Sequence, residues 1–490
     1  MARRSSWTGR RAGWCSCAGA TFRTARASSP VPEPSSRLPV RLLAAIALST
    51  ALTPLNSTMV AVALPEMSRA LRVDSGALRQ ALVTSYLLTN VVLQSPGGKL
   101  GDRLGHRRAL GLGQLLLAVG AALAYLWPVV PVLAASRVVM AAGGAIVVPS
   151  ATAMLRTELP PEVRGRAFGA FGAVMGLSAG TGPTIGALLV GTFGWTSIFL
   201  ANVPVLLLSA ALAHIGAPPR PAAATPAAPR PRFDVVGSVL LGGSLIGLVL
   251  GLESAHLRWA AALGALGLVP FVLWERRAAD PVIDFSLFRR RAFLGGSLLI
   301  ALQNFAMYAT IFELPQVAGR LFHVGPRDVG TTLLAMMGTM VVVSPLAGRG
   351  TDRFGPRALA LAGCSLALAG MLLLAMRPLG ALTDAIPALV MLGAGLGLTS
   401  PPSQSAAMSD VPREKSGMAA GLTSTMRYMG GIVGLTVLGL VLTDHPAADV
   451  VNREHTMATS IFGAALLLTI GCAFLLPGRA AAPVAAAGSR

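Results

Sequence analysis

The chain has 490 residues, of which 53% are hydrophobic and only 12% are charged, and its mean hydropathy is +0.66. This composition excludes a soluble globule of this size, because the polar surface is far too small, and it predicts a protein of the lipid bilayer. The formal charge of +20 does not indicate a nucleic-acid partner, since the basic residues lie in short scattered clusters without interleaved aromatic side chains.

The first 38 residues differ from the rest of the chain. Arg, Ser and Pro dominate there, and no apolar run reaches the length of a signal-peptide core, so residues 1–38 are predicted to form a disordered cytoplasmic tail. A misassigned start codon is an equal alternative. The four cysteines, Cys15, Cys17, Cys364 and Cys472, show no zinc or redox spacing, so we expect no disulfide framework, no metal and no cofactor.

Apolar runs long enough to cross a bilayer as helices recur along the remaining chain. Fourteen are predicted, near residues 40–63, 79–98, 108–127, 130–152, 166–190, 196–215, 235–253, 257–274, 292–314, 328–348, 358–377, 384–408, 417–442 and 457–477. Gly and Pro are frequent within them, as is typical of spanning helices, where neighbouring helices satisfy the freed backbone groups. The predicted fold class is an all-α integral membrane protein with about fourteen transmembrane helices.

The distribution of basic residues tests this count independently. With the N-terminus in the cytoplasm, 30 of the 40 Lys and Arg residues lie in segments predicted to be inside, eight lie outside and two, Arg137 and Arg427, lie within spans. This bias favours fourteen spans with both termini in the cytoplasm. Lys is rare beside Arg, and Ala and Gly are abundant, which suggests a GC-rich genome. The predicted location is the bacterial plasma membrane.

A polar motif occurs twice between the apolar runs. Gly98, Asp102, Arg103, Gly105 and Arg107 recur as Gly348, Asp352, Arg353, Gly355 and Arg357, at a constant offset of 250 residues. At about 30 residues for a span with its loop, this offset is about eight spans. The predicted organisation is an N-terminal six-helix bundle (39–216), a linker with two additional helices (217–285), a C-terminal six-helix bundle (286–478) and a cytoplasmic tail (479–490). The two bundles are expected to be related by pseudo-two-fold symmetry.

The repeated motif has a physical interpretation as a gate. The loop after the second span is short, so Gly98, Gly101 and Gly105 are predicted to allow tight turns and close backbone approach. Asp102 can accept hydrogen bonds from the N-terminal amides of a helix, and Arg103 can pair with an acid across the bundle. The predicted gating residues are Gly98, Gly101, Asp102, Arg103, Gly105, Arg107, Arg108, Gly348, Asp352, Arg353 and Gly355. The alternative is a plain basic loop that only fixes orientation.

These motifs resemble those of a known family. The segment Gly98 to Arg108 is similar to the signature between the second and third helices of major facilitator superfamily transporters. The run from Gly176 to Gly186 resembles the fifth-helix antiporter motif of the drug:proton exporters. Gly194 to Pro204 resembles the stretch that follows in the fourteen-span branch, and Thr58 to Pro65 resembles its first helix. The resemblance implies export of a hydrophobic or amphipathic small molecule against inward proton flow, by alternating access.

The fifth-helix motif consists mainly of small residues. Gly176, Gly180, Gly182 and Gly186 permit close helix packing, and Pro183 permits a bend. The resemblance implicates this helix in the direction of exchange. Small-residue packing without that role is the alternative.

Charges within spans are functional candidates, because burying them in a bilayer is costly. Arg137 matches the fourth-helix arginine that the resemblance associates with proton coupling, although Met140 and Ala141 replace the usual Gln-Gly after it. Arg427 in the thirteenth span and Glu313 near the outer end of the ninth complete the predicted proton-coupling set. The alternative for Glu313 is that it faces extracellular water.

The first span departs from the family pattern. Its members usually carry an acid shortly before the Thr and the Ala-Leu-Pro, and here the matching position is Asn56, which can neither carry a proton nor pair electrostatically with a cationic drug. Two interpretations follow: the substrate is neutral or anionic, or another acid carries the proton. The nearest candidate acids are Glu313, Asp328, Glu66 and Asp74.

The substrate cavity is predicted near the bilayer midplane between the two halves. Its polar lining is expected from Asn56, Tyr86, Asn90, Gln94, Gln303, Asn304 and Gln404. The surrounding wall is rich in Met and Phe, and adaptable Met surfaces suit varied apolar substrates. For each polar residue the alternative is an interhelical hydrogen bond.

The sequence thus predicts a secondary transporter and no enzyme. Its partners are a small-molecule substrate, protons and the lipid bilayer, and the chain is expected to act as a monomer. No Gly-x-x-x-x-Gly-Lys-Ser/Thr loop is present, so ATP is not expected to drive transport. An uptake symporter or an uncoupled facilitator stays open. A non-transporting membrane sensor or scaffold is the alternative of another class, but it would predict lost gate glycines and a large soluble domain.

Overall fold

The computed structural model describes residues 40–74, 77–78, 80–215, 234–253, 257–322, 326–376, 380–443 and 447–478. The two predicted tails and the Ala/Pro-rich stretch 217–231 lie outside the described residues. Within the described part the chain forms helices and no strands.

Fourteen helices of at least 14 residues make up the described part. They are α1 (Val40–Leu71), α2 (Ser85–Leu104), α3 (His106–Leu126), α4 (Val130–Thr157), α5 (Pro161–Phe193), α6 (Asn202–Ile215), α7 (Val235–Glu253), α8 (Arg258–Glu275), α9 (Arg291–Phe322), α10 (Pro326–Phe354), α11 (Pro356–Met376), α12 (Ile386–Ser409), α13 (Ser416–Val441) and α14 (Ala448–Phe474). A π-helical turn (Gln80–Thr84) precedes α2, and short helices precede α6, α9, α12 and α13.

Fewer helices pass a strict test of length and hydropathy. Nine of the described helices are long and apolar enough to cross a membrane, and α5 is a tenth if its two segments, which meet at 45° around residue 183, form one span. The second helix fails because Tyr86, Asn90, Gln94, Lys99 and Asp102 lie along it and lower its hydropathy. The fourteen-span count therefore stays a prediction, while the all-helical membrane fold is confirmed.

The repeated motif lies mostly on helices, and here the prediction of tight turns at Gly98 and Gly101 is wrong. Residues Gly98 to Leu104 form the last turns of α2, and the chain turns only at Gly105, whose φ is 86°. The second copy is identical in form, with Gly355 at φ 85° between α10 and α11. A positive φ is strained for other residues, so glycine is required at the one position where the direction changes.

The helices form two groups with corresponding contacts. In the N-terminal group α1 packs on α5 and α6, and both α2 and α3 pack on α4. In the C-terminal group α9 packs on α13 and α14 in the same way, and both α10 and α11 pack on α12. The groups meet chiefly where α2 packs on α13 and where α5 packs on α10. The extra helices α7 and α8 pack mainly on each other, with α7 also touching α2.

Apolar side chains divide between two interiors and the outer surface. One large cluster of buried side chains joins the N-terminal group with the insert and with the start of α13, and a second lies within the C-terminal group beside a smaller third one. Many large apolar residues are nevertheless exposed on the outer faces of helices, among them Leu188, Phe193, Leu263 and Val342. Exposed apolar surface on this scale requires an apolar solvent, which a bilayer provides.

Candidate functional site

Asp102 caps a helix of the opposite group. Its two carboxylate oxygens accept hydrogen bonds from the backbone amides of Gly417 and Met418, each at 2.7 Å. Both amides belong to the first turn of α13, where backbone N–H groups lack partners within the helix and the helix dipole favours a negative charge. The end of α2 is thereby joined to the start of α13.

Asp352 makes the corresponding contact in the other direction. It accepts hydrogen bonds from the amides of Gly165 at 2.7 Å and Arg166 at 3.0 Å, near the start of α5. The guanidinium of Arg166 also lies 3.7 Å from this carboxylate. Each group of helices therefore carries one aspartate that holds a helix of the other group; we call Asp102 and Asp352 the paired aspartate caps.

Glycine makes both caps possible. A Cβ atom on Gly98 would stand 2.0 Å from the carbonyl oxygen of Gly417, and one on Gly348 would stand 2.4 Å from that of Gly165. At each crossing the backbones are too close for any side chain, so the glycines permit the approach that lets the carboxylates reach the amides. The role of Gly98 and Gly348 is therefore helix contact.

The arginines of the motif lie at the surface. Arg103 and Arg108 are exposed, and no ion pair involves Arg103 among the described residues, so the structure gives no support to the predicted pairing across the bundle. Arg107 donates to both carboxylate oxygens of Glu158, at 2.9 and 2.7 Å, which holds α3 to the end of α4. The guanidinium of Arg353 lies 5.2 Å from the ring centre of Phe354.

Two polar residues beside the first cap were missed by the sequence reasoning. The Nε2 atom of His106 lies 3.0 Å from the hydroxyl of Ser416 and 3.6 Å from Asp102, which extends the contact with α13. Lys99 is buried and donates to the backbone carbonyls of Asp280 and Pro281. The signal for His106 was its spacing of four residues from Asp102, but no local pattern indicated the partner of Lys99.

The segment after α8 is fixed to both groups. Lys99 of the N-terminal group binds the carbonyls at the start of this segment. From the C-terminal group, Lys415 at the start of α13 donates to Asp284 at 2.5 Å. Burial raises the pKa of Asp284, but hydrogen bonds from Lys415 and Ser286 outweigh this and leave it below its ordinary value. The segment between the end of α8 and the start of α9 thus forms a strap beside the first aspartate cap.

Arg137 is fully buried and holds three helices together. Its Nε donates to the carbonyl of Leu82 at 2.9 Å, its Nη2 to that of Asn56 at 3.4 Å, and its guanidinium stacks 3.9 Å from the ring centre of Tyr86. Leu82 lies in the π-helical turn, and π-bulges leave carbonyl groups free for such contacts. No described residue is a hydrogen-bond partner of the Nη1 atom of Arg137.

Asn56 is satisfied inside the N-terminal group. Its side-chain amide donates to Asn202 at 2.7 Å, joining α1 to α6, and the residue is 2% exposed. Asn202 in turn donates to the carbonyls of Ile198 and Phe199. Asn56 therefore faces α6, away from the C-terminal group.

The other polar residues of the predicted lining lie in different places. On α2, Tyr86 donates to the carbonyl of Thr53. Asn90 and Gln94 are buried, and some of their side-chain atoms find no hydrogen-bond partner among the residues that the structure describes. On α9, Gln303 is bonded within the C-terminal group to Leu396 and Thr399, whereas Asn304 is half-buried. Tyr86 and Gln303 thus make hydrogen bonds to other helices of their own groups, as the alternative for these residues predicts.

Arg427 and Gln404 form a polar contact on the inner helices of the C-terminal group. Arg427, half-buried on α13, donates from Nη2 to the side-chain oxygen of Gln404 on α12 at 2.6 Å. The Nε of Arg427 and the Nε2 of Gln404 are buried and have no hydrogen-bond partner in the described part of the chain. This pair joins one predicted coupling residue to one predicted cavity residue.

Glu313 forms a buried pair with a histidine that the sequence reasoning missed. The Nδ1 atom of His455 lies 2.5 Å from Glu313 Oε1, and its Nε2 lies 3.2 Å from the carbonyl of Leu374. Glu313 is 0% exposed, so it does not face extracellular water. The other candidate acids lie nearer the surface: Glu66 is half-buried and Asp328 is exposed.

The fifth-helix glycines contact two different helices. A Cβ on Gly182 would stand 1.8 Å from the hydroxyl of Thr58 on α1, and a Cβ on Gly186 would stand 3.1 Å from the Cα of Met59. Gly176 faces Met340 of α10, where a Cβ would stand 2.8 Å from its methyl carbon, and Gly180 faces Met337. This helix therefore packs against its own group and the other one, which fits the predicted role in helix contact.

Comparisons with known proteins agree with these observations. A profile of the Major Facilitator Superfamily matches residues 46–435. The chain is 33% identical over 411 residues to the tetracenomycin C resistance and export protein of Streptomyces glaucescens, covering 82% of this chain and 75% of that protein. It is 31% identical over 399 residues to the multidrug resistance protein Stp of Mycobacterium tuberculosis strain CDC 1551 / Oshkosh, covering 79% and 73%.

A solved structure shows the same fold. The human organic anion transporter MFSD10 superimposes with a TM-score of 0.65, covering 90% of this chain and 100% of that one. The two sequences are 16% identical, so this likeness concerns the fold alone.

Proposed function

Since this chain belongs to the major facilitator superfamily of membrane transporters, matched over residues 46–435, we propose that it exports hydrophobic or amphipathic small molecules in exchange for protons, by alternating access. Relatives named for drug resistance and export, at 33% and 31% identity, support the direction of transport. We place the protein in the bacterial plasma membrane as a monomer with fourteen spans, both termini in the cytoplasm.

The paired aspartate caps carry this proposal. Asp102 and Asp352 each accept two backbone amides across the boundary between the helix groups, on the side predicted to be cytoplasmic. Opening that side must break both contacts, because α2 with α13 and α5 with α10 are the main crossings between the groups. A rocking motion of one group against the other would thus exchange a capped, closed state with an uncapped, open one.

Proton coupling is assigned to Glu313 and Arg137. Glu313 is the candidate acid that lies wholly inside a helix group, and its pair with His455 joins α9 to α14. Proton uptake by the carboxylate removes its negative charge and weakens this buried contact, while proton release restores it. Arg137 positions α1, α2 and α4 in the other group, where Asn56 cannot take up a proton.

The proposal is tested with inverted vesicles that hold the protein and a preset pH gradient. Addition of the neutral dye phenylnaphthylamine is expected to move dye into the vesicles and protons out of them. Glu313→Gln should leave dye movement without proton movement, and Arg137→Ala should reduce both. Asp449→Asn on α14 is the matched control, since this exposed carboxylate pairs with Arg453 along its own helix.

The possible results separate the alternatives. Dye movement with no proton movement in the unmodified protein would show an uncoupled facilitator, which the amide at Asn56 favours because the usual acid is replaced. Dye and protons moving in the same direction would show a symporter. Movement of neither would contradict a transport function for this class of compound.

A further inference from the structure

Arg427 and Gln404 present hydrogen-bond donors that no group among the described residues accepts. Arginine has no acceptor atom, so the bond from Arg427 Nη2 fixes the oxygen of Gln404 toward the guanidinium and its NH₂ group away from it. The buried atoms left without a partner are Arg427 Nε and Gln404 Nε2. Both atoms are donors, so a ligand that completes this pair must supply hydrogen-bond acceptors.

Arg427 points into the protein and away from the lipid. At about 100° per residue, Gly431 and Gly434 lie within about 40° of Arg427 around the axis of α13. A Cβ on Gly431 would stand 3.0 Å from the ring of Tyr308, and one on Gly434 would stand 2.4 Å from the carbonyl of Phe305, so this face is turned to α9. The exposed apolar Leu440 lies about 140° away.

The positive charge of Arg427 has no carboxylate partner. Across the part of the chain that the structure describes, the ion pairs involve other residues. The titratable groups that act on Arg427 there are the phenols of Tyr308 and Tyr428. A cation in a site of low dielectric needs a counter-charge. Arg427 nevertheless stays half-buried, near the middle of α13.

The N-terminal group does not supply that counter-charge. Asn56 occupies the position at which an acid would pair with a cationic substrate, and its side-chain amide donates a hydrogen bond to Asn202. Arg137, the other arginine predicted to lie within a span, is bonded to carbonyl groups of its own group. The described groups around Arg427 therefore favour a ligand that is itself negative.

We propose that Arg427 and Gln404 bind the anionic group of the transported molecule, a carboxylate, sulfonate or ionised phenol carried on an apolar ring system. The guanidinium supplies the charge and Gln404 Nε2 a second donor, while the rings of Tyr308 and Tyr428 contact the apolar part. This inference rests on the proposed export function and names its substrate class. It assigns Arg427 to substrate binding in place of proton coupling.

The test uses two dyes that differ by one charge. Anilinonaphthalene sulfonate carries an ionised sulfonate on the ring system of neutral phenylnaphthylamine, and transport of each into inverted vesicles is followed by fluorescence. Arg427→Gln is expected to lower transport of the sulfonate about tenfold, because a hydrogen bond to a charged group is lost, and to leave the neutral dye within about twofold. Arg427→Lys, which keeps the charge, should lie between. Arg277→Gln, at an exposed arginine, is the matched control.

The two dyes also distinguish a failure of the anion site from a failure of the proposed export function. Transport of the neutral dye without the sulfonate by the unmodified protein would overturn the anion site and leave export standing. An equal loss of both dyes in Arg427→Gln would likewise overturn it, since that result marks a structural arginine. If the unmodified protein moves neither dye, the proposed export function fails and the anion site with it.

Discussion

Asp102 and Asp352 lie 250 residues apart in the sequence, and each accepts two backbone amide hydrogen bonds from the N-terminal end of a helix in the other group. The relationship is reciprocal: the N-terminal group caps α13 and the C-terminal group caps α5. Because the same chemistry closes both crossings, weakening either cap should favour the same open state.

The first prediction concerns these caps. Asp102→Asn and Asp352→Asn each replace a charged acceptor by a neutral amide with one acceptor oxygen, which should weaken the closed state by about 1–3 kcal/mol. Spin labels at positions 108 and 413, in a cysteine-free background, should then report a longer distance across the predicted cytoplasmic side.

Asp384→Asn is the control for this prediction. Asp384 also accepts two backbone amides, from Gly380 and Ala381, but both lie in its own loop before α12. The Asp384→Asn variant should therefore leave the distance between the two spin labels unchanged. An unchanged distance in the Asp102 and Asp352 variants would show that the caps do not hold the groups together.

The second prediction concerns the close crossing at Gly98. Gly98→Ala places a methyl group 2.0 Å from the carbonyl oxygen of Gly417, so α2 and α13 must separate, at a cost of about 1–3 kcal/mol. Dye transport should fall and the same label distance should lengthen. Gly111→Ala, where a Cβ would meet nothing within 4 Å, should leave both unchanged. Normal transport by Gly98→Ala would contradict the proposed closed crossing.

The third prediction concerns pH and the strap after α8. The pKa of Asp284 is held below its ordinary value by Lys415 and Ser286 despite partial burial, so its ionised form stabilises the folded state. This contribution is complete above the ordinary pKa of about 4 and is lost as the pH falls through the lower folded value. Since Lys415 is 45% exposed, solvent screening reduces the effect to about 1 kcal/mol or less.

Melting curves in detergent between neutral and acidic pH check this expectation. Asp284→Asn should lower the melting temperature near pH 7 and converge with the unmodified protein below about pH 4. Asp449→Asn, whose carboxylate is 71% exposed, is the control for acid-to-amide changes at the surface. A constant difference at all pH values would show that Asp284 acts through packing alone.

The sequence by itself determined the environment, the family and the chemistry of the caps. Hydropathy is a sum over local residues, so the bilayer location follows without knowledge of packing. The motif repeat is equally local, and it indicated that Asp102 would accept helix amides before any partner was known. The fifth-helix glycines were predicted as packing residues on the same grounds, and the structure places them in helix contacts.

Only the tertiary structure decided which residues meet. Asn56 was expected in a cavity but bonds to Asn202, 146 residues away, and Glu313 pairs with His455, 142 residues away. Gly98 was expected in a turn, yet it lies in a helix where another backbone approaches it. Such pairings depend on how separate helices are placed against each other, and the spacing of residues within one helix carries no information about its neighbour across the bundle.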